Sequence, residues 1–349
     1  MVRLSYSRAG VDIAGADVVK QRIARLAAST FTPGVLREIG HFGGLFAAPG
    51  DHNSYVLVSS IDSVGTKVLI ATLLGRHRSI GIDLVNHCVD DILACGARPL
   101  FFLDYFAAAS LAPAVLEELV EGVVEACAAA GCALIGGETA QLPGIYLPGV
   151  YDLAGCIVGA VRRDRIVDGS TIRAGDVLVG LPSSGLHTNG YSLARAALGL
   201  DGDPEEARRR LAEVPAWTDR SLGELLLEPH RSYLPVIEPL LDTGVIRGLA
   251  HITGGGLAGN VARIIPPGLQ ALIEAGSWPV PQIFRHIQER GQIDAHEMYR
   301  VFNMGIGYVV VVRPEDAPGV QQLLAEGWII GSVVPAGEAE ARAVVRGVS

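Results

Sequence analysis

The stretch Tyr55-Val-Leu-Val-Ser-Ser-Ile61 constrains this chain most. It is uncharged and rich in β-branched side chains, so it reads as a buried strand. It runs straight into Asp62-Ser-Val-Gly-Thr-Lys67 and then into an apolar segment, residues 68–74, with helical spacing. A strand that turns over a glycine into a helix is the building unit of α/β proteins, and the pattern recurs. Helices are predicted over residues 18–28, 82–95 and 113–130, and strands over 99–105, 132–135 and 151–161. A second block opens with a strand at 177–181, passes through a Ser/Gly loop into a helix at 191–198, and closes with a strand at 308–312 and a helix at 319–325. Strand order cannot be read from such alternation.

The 349 residues fit two domains, and polar and turn residues cluster between them at Arg162-Arg163-Asp164-Arg165 and Asp168-Gly169-Ser170. We therefore expect domains at 1–168 and 169–349. With 49% apolar and 19% charged residues the chain has ample material for cores, which excludes disorder. A net charge of −9 with scattered basic residues, apart from Arg208-Arg209-Arg210, predicts no nucleic-acid partner. The longest stretch without Asp, Glu, Lys or Arg, 177–194, carries Pro182, Ser183, Ser184, His187 and Asn189, so no membrane span is expected. The N-terminal residues lack an apolar segment with a small-residue cleavage site, which predicts a cytoplasmic protein. Five cysteines without zinc or C-x-x-C spacing read as reduced thiols.

Acids carry the first functional signal. On a helix beginning near Ile82, Asp83, His87 and Asp90 fall on one side with Asp91 at its edge. A solvated polar face is the plain alternative. Asp62 at a strand end and Glu138 in Gly136-Gly137-Glu138-Thr139 add two acids at expected loop positions. Carboxylates gathered at one spot repel unless a cation joins them, and oxygen donors of this kind suit Mg²⁺ bridged to phosphates. Lys67 follows Gly65-Thr66, so an ammonium stands beside a flexible turn. The spacing is not that of a Walker A loop.

In the second block, Ser183-Ser184-Gly185-Leu186-His187-Thr188-Asn189-Gly190 links a strand to a helix, where free N–H groups can accept a phosphate. A capping loop is the alternative. Gly254-Gly255-Gly256-Leu257-Ala258-Gly259 satisfies G-x-G-x-x-G, with Glu274 twenty residues on, as in a dinucleotide fold. Residues 247–253 make a poor buried strand, however, and Pro266-Pro267 stops the helix that follows.

Taken together, these motifs resemble the phosphoribosylformylglycinamidine cyclo-ligase (aminoimidazole ribonucleotide synthetase) family over nearly the whole chain. The matching runs include Leu4-Ser-Tyr-Ser-Arg-Ala-Gly-Val-Asp-Ile13, Asp62-Ser-Val-Gly-Thr-Lys67, Gly81-Ile-Asp-Leu-Val-Asn86, Gly136-Gly-Glu-Thr-Ala140, Ser183-Ser-Gly-Leu-His-Thr-Asn-Gly-Tyr-Ser-Leu193, His251-Ile-Thr-Gly-Gly-Gly256 and Glu297-Met-Tyr-Arg-Val-Phe-Asn303. Asp90, Gln141 and Gly259 depart from the usual pattern.

The resemblance implies an α/β protein of the α+β type in two domains. The N-terminal strands would pair with a second subunit's in a dimeric β-barrel, and ATP would lie in the cleft between the domains. It also implies ATP-dependent ring closure of a ribonucleotide in purine biosynthesis, with another ATP-dependent member of the superfamily, such as a small-molecule kinase, as the alternative. On that footing Asp62, Asp83, Asp91 and Glu138 are expected at Mg²⁺, and Gly65, Thr66 and Lys67 at the nucleotide. Ser183, Ser184, Gly185, His187 and Asn189 are expected at the ribonucleotide phosphate, and His251 as acid or base. A core histidine is the alternative for His251.

Overall fold

A computed structural model describes residues 4–9, 26–37, 40–48, 54–110, 112–337 and 340–348. The first sheet contains β1 (Gly44–Ala47), β2 (Tyr55–Ser63), β3 (Arg98–Ala108), β4 (Ala133–Gln141) and β5 (Tyr151–Arg162), in the spatial order β1-β2-β5-β3-β4. Its neighbours are antiparallel except β3 and β4, which are joined by a crossover and run parallel. Helices α1 (Lys67–Leu74), α2 (Arg78–Leu93) and α3 (Pro113–Ala129) fill the connections. Of the helix expected over 18–28, only the residues from 26 onward are described, and 26–28 are helical.

Helix α2 organises the whole first domain. It lies on β2, β3 and β5, with α3 crossing it at very short range. The crossing depends on two facing glycines. A Cβ on Gly81 would meet the Leu119 carbonyl at 2.1 Å, and one on Gly122 would meet the Arg78 carbonyl at 2.0 Å. Alternation along β2 turns Val56 and Val58 toward α2 and leaves Tyr55 and Ile61 on the other face. Ile61, 70% exposed, lies in one row with Cys156 and Leu103. Among the described residues that face carries no helix.

The second sheet contains β6 (Val177–Pro182), β7 (Gly248–His251), β8 (Leu269–Glu274), β9 (Ile306–Val312), β10 (Trp328–Pro335) and β11 (Ala343–Arg346), ordered β11-β8-β10-β6-β9-β7. Every residue of β9 is buried, as expected of a strand covered on both faces. The segment around residue 250 does form a strand, against the sequence expectation. It has four residues, too few for a hydrophobic period to show, and its burial comes from pairing with β9. Helix α4 (Tyr191–Leu198) follows β6 through the Ser/Gly loop. No helix among the described residues is long and apolar enough to cross a membrane.

Candidate active site

The acidic stripe of α2 is neither solvated nor open. Asp83, His87, Asp90 and Asp91 are all buried, because the second domain packs over them. Three of its polar side chains grip the backbone of one extended segment, residues 228–233. Asp83 accepts the His230 N–H at 2.6 Å, Asn86 donates to the His230 carbonyl at 2.7 Å, and Asp90 accepts the Tyr233 N–H at 2.8 Å. The stripe is thus a docking edge that satisfies main-chain groups which would otherwise be buried unpaired.

This arrangement corrects the expectation of four carboxylates converging on one cation. Asp83 faces Lys67 instead, with Nζ at 2.9 Å from one oxygen and 2.8 Å from the other. Lys67 opens α1, is fully buried, and also donates to the Glu228 carbonyl at 2.7 Å. Burial presses Lys67 downward and Asp83 upward in pKa, and each supplies the counter-charge that opposes this. The ammonium is therefore turned away from the loop where a nucleotide phosphate was expected. Glu138 lies not in a loop but in β4, exposed and directly opposite Tyr105. Tyr105 alternates with the core residues Phe102 and Phe106, so Glu138 is on the open face of the sheet. Asp62 is on the helix side, with β5 and β3 between the two strands.

Asp62 and Asp91 do come together, through histidines. His87 Nε2 lies 2.9 Å from Asp62 Oδ2, and the Ser63 N–H donates to Asp62 Oδ1 at 2.7 Å. Burial opposes ionisation of Asp62, but His87 and the Ser63 N–H outweigh it and hold its pKa at about 2. Burial likewise opposes a charge on His87, yet Asp62, followed by Asp91 and Asp90, raises it to about 9. Asp91 accepts Ser60 Oγ on one oxygen at 2.8 Å and lies 2.9 Å from His251 Nδ1 on the other. His251, at the end of β7, is wholly buried, and burial keeps its pKa below the ordinary value despite Asp91. A carboxylate on Nδ1 fixes the ring and leaves Nε2 as the basic atom, the arrangement a general base needs.

The Ser/Gly loop brings its residues to the same place, mostly turned inward. His187 adopts φ +62°, is buried, and accepts the Ser184 N–H on Nε2 at 3.2 Å. Its ring fits only because position 307 is glycine, where a Cβ would lie 2.4 Å from His187 Cε1. Ser184 Oγ donates to the Pro229 carbonyl at 2.6 Å, Ser183 Oγ to Asn303 Oδ1 at 3.1 Å, and the Gly185 carbonyl accepts Asn303 Nδ2 at 2.9 Å. Asn189 Nδ2 donates to Thr188 Oγ1 at 3.3 Å. Gly65 and Thr66 approach this loop from the first domain. Thr66 Oγ1 sits 3.2 Å from Ser192 Oγ on α4, and a Cβ on Gly65 would lie 3.8 Å from the Thr188 carbonyl.

His230, which lies in no sequence motif, and Thr188, which the Ser/Gly loop contained without a role of its own, also join this cluster. His230 stacks on His187 with centroids 4.0 Å apart and places Nε2 3.1 Å from His251 Nε2. Burial, followed by the neighbouring histidines, drives its pKa well below the usual range. Two clefts, of about 610 and 470 Å³, lie elsewhere, beyond the Gly254–Gly256 turn and around His296 and Arg300. They hold none of the groups just described.

Residues 46–161 match the family described as "AIR synthase related protein, N-terminal domain", and residues 173–344 match its C-terminal domain. The phosphoribosylformylglycinamidine cyclo-ligase of Bifidobacterium animalis subsp. lactis is 52% identical over 92% of this chain and 92% of its own length. The protein of that name from Anaeromyxobacter sp. is 48% identical over 98% of this chain and 99% of its own. Among solved structures, AaThiL complexed with AMPPCP and TMP superposes with a TM-score of 0.64 at 17% identity, covering 93% of this chain and 92% of that one. Thiamine-monophosphate kinase from Stenotrophomonas maltophilia K279a gives 0.62 at 18% identity, covering 94% of this chain and 96% of that one. At such identities these two likenesses concern the fold.

Proposed function

The chain belongs to the phosphoribosylformylglycinamidine cyclo-ligase family, and from that membership we propose how its residues divide the labour of the reaction. The enzyme closes formylglycinamidine ribonucleotide to 5-aminoimidazole ribonucleotide in purine biosynthesis, with release of ADP and phosphate. ATP phosphorylates the amide oxygen, which turns a poor leaving group into phosphate, and the amidine nitrogen attacks the activated carbon.

ATP is taken up beside the Asp62–Lys67 loop. The AaThiL structure, which holds AMPPCP, has the same fold. Asp62 is the one carboxylate of the expected set that fits Mg²⁺, being held ionised with its side chain 42% exposed. One or two carboxylates suffice where phosphates complete the shell. Mg²⁺, when bound, draws charge from the triphosphate.

His251 is the base. The attacking nitrogen passes its proton to Nε2, and Asp91 holds the resulting imidazolium at Nδ1. The Asp91–His251 contact across the domains carries this reading, because it orients an otherwise buried imidazole and joins it to the helix beside Asp62. Since His251 has no exposed surface, the domains part to admit the ribonucleotide, and the Ser183–Asn189 loop with the start of α4 then receives its phosphate.

Incubation with formylglycinamidine ribonucleotide, ATP and Mg²⁺ is expected to yield one aminoimidazole ribonucleotide and one ADP per turnover. A stable phosphorylated product would instead indicate a kinase. The bare face around Ile61, Leu103 and Tyr105 supports a homodimer joined through the first sheets; the cytoplasmic location and the domain division at 1–168 and 169–349 remain part of the same proposal. Ile61→Arg is expected to give monomers in sedimentation, and an unchanged mass would reject that interface.

A further inference from the structure

Two of the cysteines meet where helix α3 ends. Gly131, at φ +66°, donates its N–H to the Ala128 carbonyl at 3.2 Å, and Cys132 donates its N–H to the Cys127 carbonyl at 3.0 Å. This pair of bonds is a Schellman ending, in which the second residue past the cap packs its side chain on the third residue from the helix end. Those two positions are Cys132 and Cys127. With ordinary covalent lengths, a backbone hydrogen bond of that kind between two residues holds their Cα atoms within the roughly 4.4–6.8 Å that a disulfide spans.

Exposure separates this pair from the thiols on α2 and just beyond it. Cys88 and Cys95 are sealed, with Sγ 3.4 Å from the Gly155 carbonyl and 3.3 Å from His41 Nδ1, and burial pushes Cys95 up to about 12. Cys132 keeps 8% of its surface and stands between the exposed residues Gly131 and Ala133, while Cys127 lies deeper, at 2%. The Cys127 thiol beside it holds the Cys132 pKa below the ordinary thiol value. Cys132 is therefore the sulfur that ionises and meets a small reagent, with Cys127 behind it to resolve the product.

We propose that Cys127 and Cys132 form a redox site, at which a hydroperoxide oxidises the two thiols to an intramolecular disulfide and a dithiol reductant reopens it. The Cys132 thiolate attacks one peroxide oxygen. The O–O bond breaks, the other oxygen leaves as an alcohol or, from hydrogen peroxide, as water, and Cys132 becomes a sulfenic acid. The Cys127 sulfur then attacks the Cys132 sulfur. An S–S bond forms, the S–O bond breaks, and the oxygen departs as water with the Cys127 proton. The two thiols lose two electrons and the peroxide gains them. Reduction runs by two thiol–disulfide exchanges, in which the dithiol is itself oxidised to a disulfide. Closure also keeps Cys132 from the sulfinic stage, which is not readily reversed. None of the interdomain residues takes part.

The test is thiol mapping of the full chain. Protein reduced with dithiothreitol and freed of it is treated with hydrogen peroxide, alkylated with iodoacetamide under denaturing conditions, and cleaved after glutamate. Glu125 and Glu138 bound one peptide, residues 126–138, that contains both cysteines and no other. From reduced protein it should carry two carbamidomethyl groups. From oxidised protein it should carry none, at a mass two hydrogens below the free dithiol, while Cys88 and Cys95 are still alkylated. Dithiothreitol should return both labels. With Cys127→Ser the same treatment should leave a sulfenic acid at Cys132 that dimedone traps, and with Cys132→Ser no adduct should form at Cys127. Wild-type protein in which both cysteines of the peptide stay alkylated overturns the proposal, and that result needs no variant to fold. So does a disulfide joining either of them to Cys156, or a sulfinic acid at Cys132 with Cys127 still free.

Discussion

Two charge pairs are anchored one helical turn apart on α2, at Asp83 and at His87, and they differ in burial and in what else they hold. Asp83 with Lys67 is sealed on both sides, each side chain fully buried, and its remaining bonds go to main-chain groups of the second domain. His87 with Asp62 is buried on the histidine side only, and the carboxylate reaches a surface where a ligand can meet it. From sequence alone, both aspartates belong to one polar set. Burial separates them, since a group fully enclosed with its counter-charge can hold two domains together but cannot touch a triphosphate.

The strongest test of that contrast removes one partner of the sealed pair. Asp83→Asn leaves the Lys67 ammonium buried without a counter-charge, which is expected to cost about 3–5 kcal/mol in denaturant unfolding. The double change Lys67→Met with Asp83→Leu should recover only part of this, because it removes the buried charge but leaves the His230 N–H and the Glu228 carbonyl without their partners. A folded, equally stable Asp83→Asn protein with abolished turnover would break the comparison and return Asp83 to the catalytic site. Next in size is the open pair. Asp62→Asn should lower turnover at least a hundredfold, about 2.7 kcal/mol of transition-state stabilisation, and should cost less stability than Asp83→Asn, because His87 can give up its proton once its counter-charge is gone. A large loss of stability with normal turnover would show that both pairs are structural.

The contrast also marks what could be read from the chain. Strand β2, its glycine turn, helix α2 and the ordered motifs were legible, because each depends on local periodicity or on a contiguous run of residues. The placement of Asp62 at the end of its strand followed from the same logic. Lys67 was not legible, since nothing local says which way a residue at the head of a helix points when a second domain closes over it. Glu138 reads as a loop residue because two glycines precede it, yet pairing with β3 holds it in a strand. His230 lies in a segment with no period. The only clue was indirect: a helix face bearing Asp83, Asn86 and Asp90 needs something to hold, and that something is main chain about 140 residues away.

The smallest expected effect is the pH dependence of the open pair, and its sign follows from the two shifts. His87 is raised from 6.5 to about 9, so its contribution to stability is complete below pH 6.5 and is lost as the pH climbs through 9. Asp62 is lowered from 3.8 to about 2, so its contribution is present above pH 3.8 and disappears as the pH falls through 2. Unfolding free energy should therefore be level with respect to this pair between about pH 4 and 6.5, and should slope down on the alkaline side. His87→Gln should flatten that alkaline slope. In Asp62→Asn burial acts on His87 with its principal counter-charge gone, so the folded pKa falls back toward 6.5 and the slope, which still starts there, should end at lower pH and be shallower overall. Alkaline slopes that coincide in all three proteins would mean that His87 carries no proton between the domains, and the distinction between the two pairs would then rest on exposure alone.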